Sequence, residues 1–589
     1  MAIPSSATVT RAFDILPYQL AAFPKPDCLA WKENGAWQKW STQEVIERAN
    51  NLSYGLLRLG IQAGDKVAIV SLSRPEWVIS DFGIQQTGAT TVPMYPTITV
   101  DDYRHILKDA GVKVALASTK EICANLREAG GPNLKVYSFE EVPGIPRLAE
   151  LLADGKANPN PAELEKRKAA VQPDDLLTLI YTSGTTGTPK GVMLTHDNLI
   201  SNYKSSESAI PLDSADRALS FLPLAHIFER MVTYLYFMRG VSIYYAESIE
   251  AIGANLKEVQ PQVFTTVPRL LEKIYDRIEA KGAELTGVKS ALFGWAMKLG
   301  HQFDNQKTPG AWYDMQLSIA RKLVFSKWQE ALGGKIKIVV TGGGALQPRL
   351  ARLFSAAGVR VMEGYGLTET SPVISVNRFD AANNVIGTTG PVIDNVEVKI
   401  AADGEILTRS RSVMKGYYNL PEQTAEAIDA DGWFHTGDIG ELIDGKYLKI
   451  TDRKKEMFKT SQGKYVAPQK IENSLKEHPL IEQVMIVGDG QKYAAAVIVP
   501  SFENLKDWCP RNGVTFTSNE QVIKEQKLLA EIDAAVQRYN GTTATWEQVK
   551  KTVLLPRLWS IESGELTPSM KVKRKVVTKN FEAEIAGLF

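Results

Sequence analysis

Cysteine and net charge are both scarce in this chain of 589 residues. The three cysteines, Cys28, Cys123 and Cys509, lie far apart and form no C-x-x-C or Cys/His spacing typical of a metal site. A disulfide scaffold is thereby excluded, and buried thiols in the reducing cytoplasm are expected. Lys and Arg number 68 against 67 Asp and Glu, so the net charge of +1 provides no overall field for nucleic acid. No nucleic-acid partner is predicted.

Long uncharged hydrophobic runs are missing as well. The most hydrophobic stretch, residues 221–246, contains too many ionisable side chains for a spanning helix: His226, Glu229, Arg230 and Arg239. The N-terminal residues lack the pattern of a secretory signal. Hydrophobic residues at 44% and charged residues at 23% are typical of a globular protein with about two to four domains. We expect a cytoplasmic protein, with peripheral contact at the inner face of the membrane left open.

Short β-branched runs alternate with helical patterns in the first half of the chain. Strands are predicted at 66–72, 89–94 and 113–118, and Pro75 begins a helix between the first two. The same unit returns at 335–340, ahead of a glycine loop and another helix. Such alternation is typical of parallel sheets covered by helices.

Hairpins replace this alternation beyond residue 390. Asp-Gly dipeptides at 403–404 and 444–445 predict tight turns between antiparallel strands. An α+β pattern follows to the C-terminus. We therefore predict an α/β fold with two domains. Residues 1–453 form a large N-terminal region of α/β sheets with a small β module, and residues 454–589 form a small C-terminal domain.

A loop rich in glycine and hydroxyl side chains follows the apolar strand predicted at 176–180. Residues 181–191 read YTSGTTGTPKG. Glycines that expose successive backbone N–H groups, five Ser or Thr hydroxyls and one lysine make a cradle suited to polyphosphate. The loop is not a Walker A motif, whose lysine precedes Ser or Thr at the start of a helix, and no G-x-G-x-x-G pattern is present. A P-loop kinase and an NAD enzyme are therefore disfavoured.

This string resembles the signature loop of the adenylate-forming enzymes, which include acyl-CoA synthetases, peptide-synthetase adenylation domains and beetle luciferases. The resemblance extends over nearly the whole chain and implies the fold of that superfamily, with a mobile C-terminal domain. It also implies that the loop contacts the phosphates of ATP and AMP through seven residues: Thr182, Ser183, Gly184, Thr185, Thr186, Gly187 and Lys190.

A second motif, YGLTET, occupies residues 365–370. It resembles the Y-G-x-T-E motif of the superfamily, which implies that Tyr365 covers adenine, Thr368 meets the α-phosphate and Glu369 holds Mg²⁺. These residue types suit the roles, because an aromatic face stacks on a purine and a hard cation takes carboxylate oxygen. The resemblance implies further nucleotide contacts at three glycines and a second metal contact at one threonine: Gly343, Gly344 and Gly366, and Thr185.

Two further motifs carry the ribose contacts that the resemblance implies. Residues 433–438, WFHTGD, resemble the motif whose Asp accepts both ribose hydroxyls, here Asp438. The Asp-Arg pair at 452–453 resembles the pair whose Arg, here Arg453, also reaches the ribose. By itself, the charge run at 452–456 is typical of a solvated connector.

Lys571, near the C-terminus, resembles the adenylation lysine of the superfamily. Many members have S-G-K there, whereas this chain has SMK, which is closer to the long-chain fatty acid branch. The resemblance implies that the small domain turns about Lys455 after the first step and presents a face for CoA. The residues implied as catalytic are Lys571, Lys190, Thr368, Glu369 and Lys459, and those implied at the CoA face are Gly463 and Lys464. The basic residues 573–575 are, as a bare run, typical of solvated surface.

The acyl site is implied by two motifs. His226 lies in a P-x-x-H string that resembles a pocket wall and gate, and Val267 lies in a V-P-R-x-x-E-K string that resembles the long-chain branch. Gly343 and Gly366 complete the implied acyl pocket. Four aromatic residues of the segment that follows fit either an acyl tunnel roof or a core: Phe293, Trp295, Trp312 and Trp328.

The resemblance as a whole implies an AMP-forming ligase that activates a long-chain fatty acid with ATP and Mg²⁺ and passes it to CoA. Three alternatives stay open: acyl carrier protein as the acceptor, release of acyl-AMP as the product, and an inactive protein that binds nucleotide or lipid. Acyl chain length and the existence of a homodimer are also left open.

Overall fold

The structure is a computed structural model that describes residues 5–182, 188–567 and 570–589. The part before residue 207 alternates strands and helices as expected, and α3 begins at Pro75, whose fixed φ suits the first helical position. Its strands are β1 Leu29–Glu33, β2 Ala36–Trp40, β3 Lys66–Val70, β4 Thr90–Met94, β5 Val112–Ala117, β6 Lys135–Ser138, β7 Leu176–Thr182 and β8 Lys190–Thr195. Its helices are α1 Ile15–Ala22, α2 Thr42–Arg58, α3 Pro75–Gln86, α4 Val100–Ala110, α5 Lys120–Gly130, α6 Leu148–Ala157, α7 Pro161–Ala170 and α8 His196–Ser206.

The central part adds a second set of strands and a group of helices between β11 and β12. The strands are β9 Arg217–Ser220, β10 Ser242–Tyr245, β11 Val263–Thr266, β12 Ile338–Thr341, β13 Arg360–Gly366 and β14 Val373–Val376. The helices are α9 Ile227–Arg239, α10 Ile252–Val259, α11 Pro268–Ala283, α12 Gly287–His301, α13 Ala311–Ala320, α14 Ser326–Ala331 and α15 Pro348–Ala356. A π-helical turn, Arg321–Phe325, joins α13 to α14.

The expected hairpins follow. Asp444 and Gly445 both have positive φ, 51° and 66°, as a two-residue turn with the handedness of twisted strands requires. The elements are β15 Glu397–Ile400, β16 Glu405–Arg409, β17 Gly416–Tyr417, α16 Pro421–Ala427, β18 Phe434–Ile443 and β19 Tyr447–Arg453.

The C-terminal part combines a short hairpin, a small sheet and helices. Its strands are β20 Phe458–Lys459, β21 Tyr465–Val466, β22 Ile481–Val487, β23 Ala494–Pro500 and β24 Val549–Leu554. Its helices are α17 Pro468–Leu475, α18 Phe502–Arg511, α19 Asn519–Val522, α20 Gln526–Asn540, α21 Arg574–Asn580 and α22 Glu582–Ala586. The expected α+β pattern is confirmed.

Two large sheets form the first part of the molecule. One has the strand order β17-β8-β7-β4-β3-β5-β6 and the other β14-β13-β12-β11-β9-β10-β1-β2. Their inner strands are parallel, as expected, but β8, β14 and β2 each pair antiparallel with their neighbours. Smaller sheets have the orders β15-β16-β18-β19 and β22-β23-β24.

The apolar cores divide at the same point of the chain as the sheets. The clusters built on the two large sheets and the hairpins contain residues no later than Ile450. Those built on the last sheet begin at Phe458. Cys28, Cys123 and Cys509 are free and buried, as expected. Among the described residues, no helix is long and apolar enough to cross a membrane.

Candidate active site

The carboxyl ends of four parallel strands bring the predicted acyl and adenine residues to one edge of a sheet. The strands β13, β12, β11 and β9 are neighbours in that order. The chain leaves them at Gly366, at the 342–344 glycine loop, at Val267 and at the segment leading to His226. Parallel strands all end at the same edge of a sheet, so residues that are distant in sequence meet here. In open α/β sheets, ligands bind at this edge.

Close backbone approach explains the glycines at this edge. A Cβ on Gly366 would lie 1.8 Å from the carbonyl oxygen of Pro372, so any other residue would clash. Gly343 has a φ of +78°, and a Cβ there would lie 4.0 Å from Val267. A half-buried carboxylate that sequence reasoning missed, Glu363, accepts a 3.0 Å hydrogen bond from the backbone N–H of Leu346 and anchors the loop.

The neighbouring Gly344 faces the start of α11, because a Cβ there would lie 3.8 Å from Pro268. Gly343 and Val267 are therefore neighbours at this edge of the sheet, and their role as an acyl wall stays a prediction. Of the aromatic residues left open between roof and core, Trp328 is buried among helices and Trp312 is exposed. Trp328 is therefore a core residue, whereas Trp312 lies at the surface.

His226 caps helix α9. Its Nδ1 accepts a 3.2 Å hydrogen bond from the backbone N–H of Phe228, which fixes the ring at the helix start. Burial, and secondarily the positive charge of Lys571, lowers the pKa of His226 to about 4. The imidazole is therefore neutral near pH 7, and it suits a wall better than an acid.

The strands on either side of the glycine loop hold its ends together. Thr182 ends β7 and pairs directly with Lys190 at the start of β8. Ser183, Gly184, Thr185, Thr186 and Gly187, with the predicted phosphate and metal contacts at Thr185, lie outside the described residues.

A tyrosine that sequence reasoning missed links Lys190 to Glu369. Tyr417, on β17, has its ring 4.9 Å from the Lys190 ammonium, and its hydroxyl donates a 3.0 Å hydrogen bond to Glu369. Glu369 lies in a 3-10 turn, Thr368–Thr370, directly after β13. The predicted phosphate lysine and metal carboxylate therefore flank a single aromatic ring. Its position in the VMKGYY string at 413–418 was the available signal.

The predicted adenine and ribose residues form a connected group. The hydroxyl of Tyr365 donates a 2.7 Å hydrogen bond to Asp438, and Arg453 lies 3.2 Å from the other carboxylate oxygen. Asp438 and Arg453 are direct cross-strand partners on β18 and β19. Burial raises the pKa of Asp438 while Arg453 opposes that shift, so the carboxylate depends on its neighbours for its charge.

Lys571 reaches this group from the C-terminal part of the chain. Its side chain is exposed to solvent, but desolvation by the surrounding protein and then the charge of Arg453 lower its pKa to about 8. Asp438, Glu456 and Glu369 act in the opposite direction. The predicted adenylation lysine is therefore close enough to the predicted ribose and metal carboxylates for their charges to act on it.

Arg574 ties the Lys571 segment to the start of the C-terminal part. Its Nε lies 3.1 Å from Glu456, and its other nitrogens contact Glu472 and the carbonyl of Ile486. The interpretation of 573–575 as solvated surface is therefore wrong for Arg574. The partners lie about a hundred residues away in sequence, so no local pattern revealed them.

The charge run at 452–456 is also not a simple solvated connector. Asp452 is buried, and its carboxylate accepts a 3.2 Å hydrogen bond from the backbone N–H of Gln469 in the first turn of α17. Burial raises the pKa of Asp452 to about 7. Lys455, the predicted hinge, is exposed in the turn after β19.

The predicted CoA residues lie on the β20–β21 hairpin. Lys459 is exposed, with its ammonium 5.4 Å from the ring of Tyr465. Gly463 turns the hairpin with a φ of +80°, and the ammonium of Lys464 lies 5.2 Å from the ring of Trp546. These residues are together on one exposed element.

The residues around Glu369 suit a Mg²⁺ ion that is bound together with phosphate. Among the described residues, no group of three His, Cys, Asp or Glu side chains could hold a metal. Mg²⁺ in phosphate-transfer sites takes one or two carboxylates and fills its other positions with phosphate and water. A single carboxylate at Glu369, beside Lys190, fits that mode of binding.

Comparisons with known proteins identify the family. A family model for AMP-binding enzymes matches residues 17–418, and one for the C-terminal domain of AMP-binding enzymes matches residues 456–589. Long-chain-fatty-acid–CoA ligase FadD15 of Mycobacterium bovis is 36% identical over 96% of this chain and 95% of its own. Long-chain-fatty-acid–CoA ligase 5 of Mus musculus is 34% identical over 97% and 87%.

A solved structure has the same fold. It is the A domain of the carboxylic acid reductase from Segniliparus rugosus, in complex with AMP and a co-purified carboxylic acid. The TM-score is 0.73 at 20% identity, covering 100% of this chain and 96% of that one.

Proposed function

Since the chain belongs to the AMP-binding enzyme family, among relatives that are long-chain-fatty-acid–CoA ligases, we propose that it joins a long-chain fatty acid to CoA through an acyl-adenylate. The observation that carries the proposal is that Lys571 lies within electrostatic range of Asp438, Arg453 and Glu369. A cation from the C-terminal part is thereby placed near the predicted nucleotide-binding side chains of the large part. Transfer of AMP to a carboxylate needs such a cation, because two anions must approach each other.

The first step forms the acyl-adenylate. A carboxylate resists attack by a thiol because its charge is delocalised and its leaving group would be oxide. Its oxygen therefore attacks the α-phosphorus of ATP, the bond from that phosphorus to pyrophosphate breaks, and pyrophosphate departs. Two anions must approach each other, so cations and fixed hydrogen-bond donors lower the barrier more than a general base would.

Each proposed contact to ATP follows from the chemistry of its residue. Lys190 and Lys571 neutralise phosphate charge, and the hydroxyl of Thr368 donates a hydrogen bond to the α-phosphate. Tyr365 covers adenine, and Asp438 with Arg453 holds the ribose. The remaining proposed contacts are Thr182, Ser183, Gly184, Thr185, Thr186, Gly187, Gly343, Gly344 and Gly366. With Thr185, Glu369 would hold a Mg²⁺ that reduces the negative charge of the phosphates.

The second step is thioester formation. The sulfur of CoA attacks the acyl carbon, the carbon–oxygen bond to AMP breaks, and the thiol proton is released. Lys571 has to withdraw to admit the thiol. We propose that residues 454–589 turn as a domain about Lys455 against residues 1–453 and bring Lys459, Gly463 and Lys464 to the site. Separate apolar cores on either side of this boundary support the rotation.

The acyl chain is proposed to lie along His226, Val267, Gly343 and Gly366. Initial rates with acids from octanoate to stearate test this assignment, and a preference for acetate or benzoate would contradict it. The free thiols of all three cysteines support a reducing, cytoplasmic location.

The proposed reaction is tested with purified protein, ATP, Mg²⁺ and palmitate. We expect AMP and palmitoyl-CoA in equal amounts when CoA is present, and ATP–pyrophosphate exchange without it. Acyl carrier protein replaces CoA in a parallel assay. A thioester on the carrier protein alone would identify a different acceptor, and absence of AMP with every acid would contradict the proposal.

A further inference from the structure

An exposed apolar stripe follows the helical segment from α13 through the π-helical turn. Its members lie at spacings of three and four residues, which places them on one face of a helix. The exposed fractions are Trp312 70%, Met315 46%, Ile319 42% and Leu323 56%. A different face of the same helix, carrying Tyr313 and Leu317, is buried in the core. The stripe is therefore a second apolar face that the fold leaves uncovered.

Helix α12 extends the stripe. The hydroxyl of Tyr313 donates a 2.9 Å hydrogen bond to the carbonyl of Leu299, and the indole of Trp295 donates a 3.1 Å bond to Gln316. From the first contact to the second, the residue number rises on α13 and falls on α12, so the two helices are antiparallel. Seven residues further, about 10 Å along each helical segment, α12 reaches residue 288 and the π-helical turn after α13 reaches residue 323.

Val288 is 76% exposed at that end of the pair. The apolar surface therefore spans both helices: Val288, Trp312, Met315, Ile319 and Leu323. We call this surface the hairpin stripe.

The charges around the hairpin stripe are basic. Residues 287–326 contain five Lys or Arg and two Asp, with no Glu, which gives +3 in a chain whose total is +1. Lys289 follows Val288 directly, Lys322 precedes Leu323, and both lysines are exposed. Protein–protein interfaces are depleted in lysine, whereas anionic lipid head groups attract it. A helix face with tryptophan and aliphatic residues between lysines is typical of an interfacial membrane helix.

We propose that the hairpin stripe docks the protein on the surface of an anionic lipid bilayer. The apolar side chains enter the boundary between head groups and acyl chains, and Lys289 and Lys322 contact lipid phosphates. The surface lies beyond the far end of α11, whose other end is at Val267, roughly 24 Å away along its 16 residues. Docking would keep the protein at the phase into which fatty acids partition.

Vesicle sedimentation with the full-length protein tests this surface. We expect binding to vesicles of phosphatidylcholine mixed with phosphatidylglycerol and much weaker binding to phosphatidylcholine alone. The double variant Ile319→Ser/Leu323→Ser should lower the affinity by about tenfold or more, since two apolar side chains no longer enter the bilayer. Ile249→Ser, at an isoleucine that is 70% exposed elsewhere, is the matched control and should bind like the wild type.

A charge variant gives an independent readout. Lys289→Gln/Lys322→Gln should lower the affinity for the anionic vesicles by about tenfold, whereas Lys120→Gln/Lys135→Gln, at two other exposed lysines, should not. Wild-type affinity in both stripe variants would overturn the proposal. A dimer in light scattering that the serine variant dissociates, without vesicle binding by the wild type, would assign the stripe to a second copy instead.

Discussion

Arg574 and Glu456 form an ion pair, 3.1 Å between Nε and Oε2, that connects the segment of Lys571 to the turn containing Lys455. Glu472 contacts the same guanidinium from α17. Arg574, three residues after Lys571, thus fixes the segment of the proposed adenylation lysine. Its partner Glu456 directly follows Lys455, the proposed hinge. Arg574 acts through this linkage as a positioning residue.

Replacing Arg574 tests that linkage. Arg574→Gln leaves Glu456 and Glu472 without their cation and should lower the free energy of unfolding of the C-terminal core by about 1–3 kcal/mol. We expect a larger loss in pyrophosphate exchange than in thioester formation from supplied acyl-AMP, because Lys571 loses its support. Lys575→Gln, an exposed neighbour in the same basic run, should change neither rate. Equal loss of both reactions would contradict a positioning role.

Lys571 should serve only the first step. Lys571→Ala removes the cation that faces Asp438 and Glu369, and pyrophosphate exchange should fall by about a hundredfold or more. Conversion of supplied acyl-AMP to thioester should continue, because the second step does not use this side chain. Lys579→Ala, at an exposed lysine of α21, is the control. Loss of both steps in Lys571→Ala would refute the division of labour.

The lowered pKa of Lys571 predicts a pH limit. The ammonium is protonated below its pKa of about 8 and loses its charge as the pH rises through that value. The kcat/KM of adenylation, which reflects the free enzyme, should therefore decline above about pH 8. In Lys571→Arg the guanidinium has a much higher pKa and stays charged, so the decline should move to higher pH. An unchanged alkaline limb in that variant would assign it to another group.

Asp438 should be the ribose acceptor. Asp438→Asn keeps the shape of the side chain but replaces a charged hydrogen-bond acceptor by a neutral amide. The kcat/KM for ATP should therefore fall by about tenfold or more. Wild-type enzyme should discriminate against 2′-deoxy-ATP, and the variant should discriminate less, because the two changes remove one interaction. Additive losses would show that Asp438 does not contact this hydroxyl.

Lys455 should matter for the second step. Proline fixes φ near −65°, so Lys455→Pro restricts the rotation proposed at this turn. Thioester formation should slow by about tenfold or more while pyrophosphate exchange stays within about twofold. Lys455→Ala, which keeps the backbone free, should leave both rates near wild type. Equal thioester rates in the two variants would exclude a hinge at this residue.

Local patterns in the sequence were enough for the elements and the motifs. Alternation of apolar runs predicts the parallel strands, Pro75 predicts the start of α3, and the Asp-Gly pair at 444–445 predicts its hairpin, because each depends on neighbours along the chain. The motif residues Tyr365, Asp438 and Arg453 were likewise identified from short strings. The roles of these three in catalysis stay predictions.

The side-chain contacts between distant segments were decided by the tertiary structure alone. Arg574 looked like solvated surface, and Asp452 like part of a connector, until folding brought Glu456 and Gln469 beside them. Tyr417 meets Lys190 and Glu369 only because β17 pairs with β8. An ion pair or a cross-strand contact is a property of two segments at once, so its energy leaves no mark on the composition or periodicity of either.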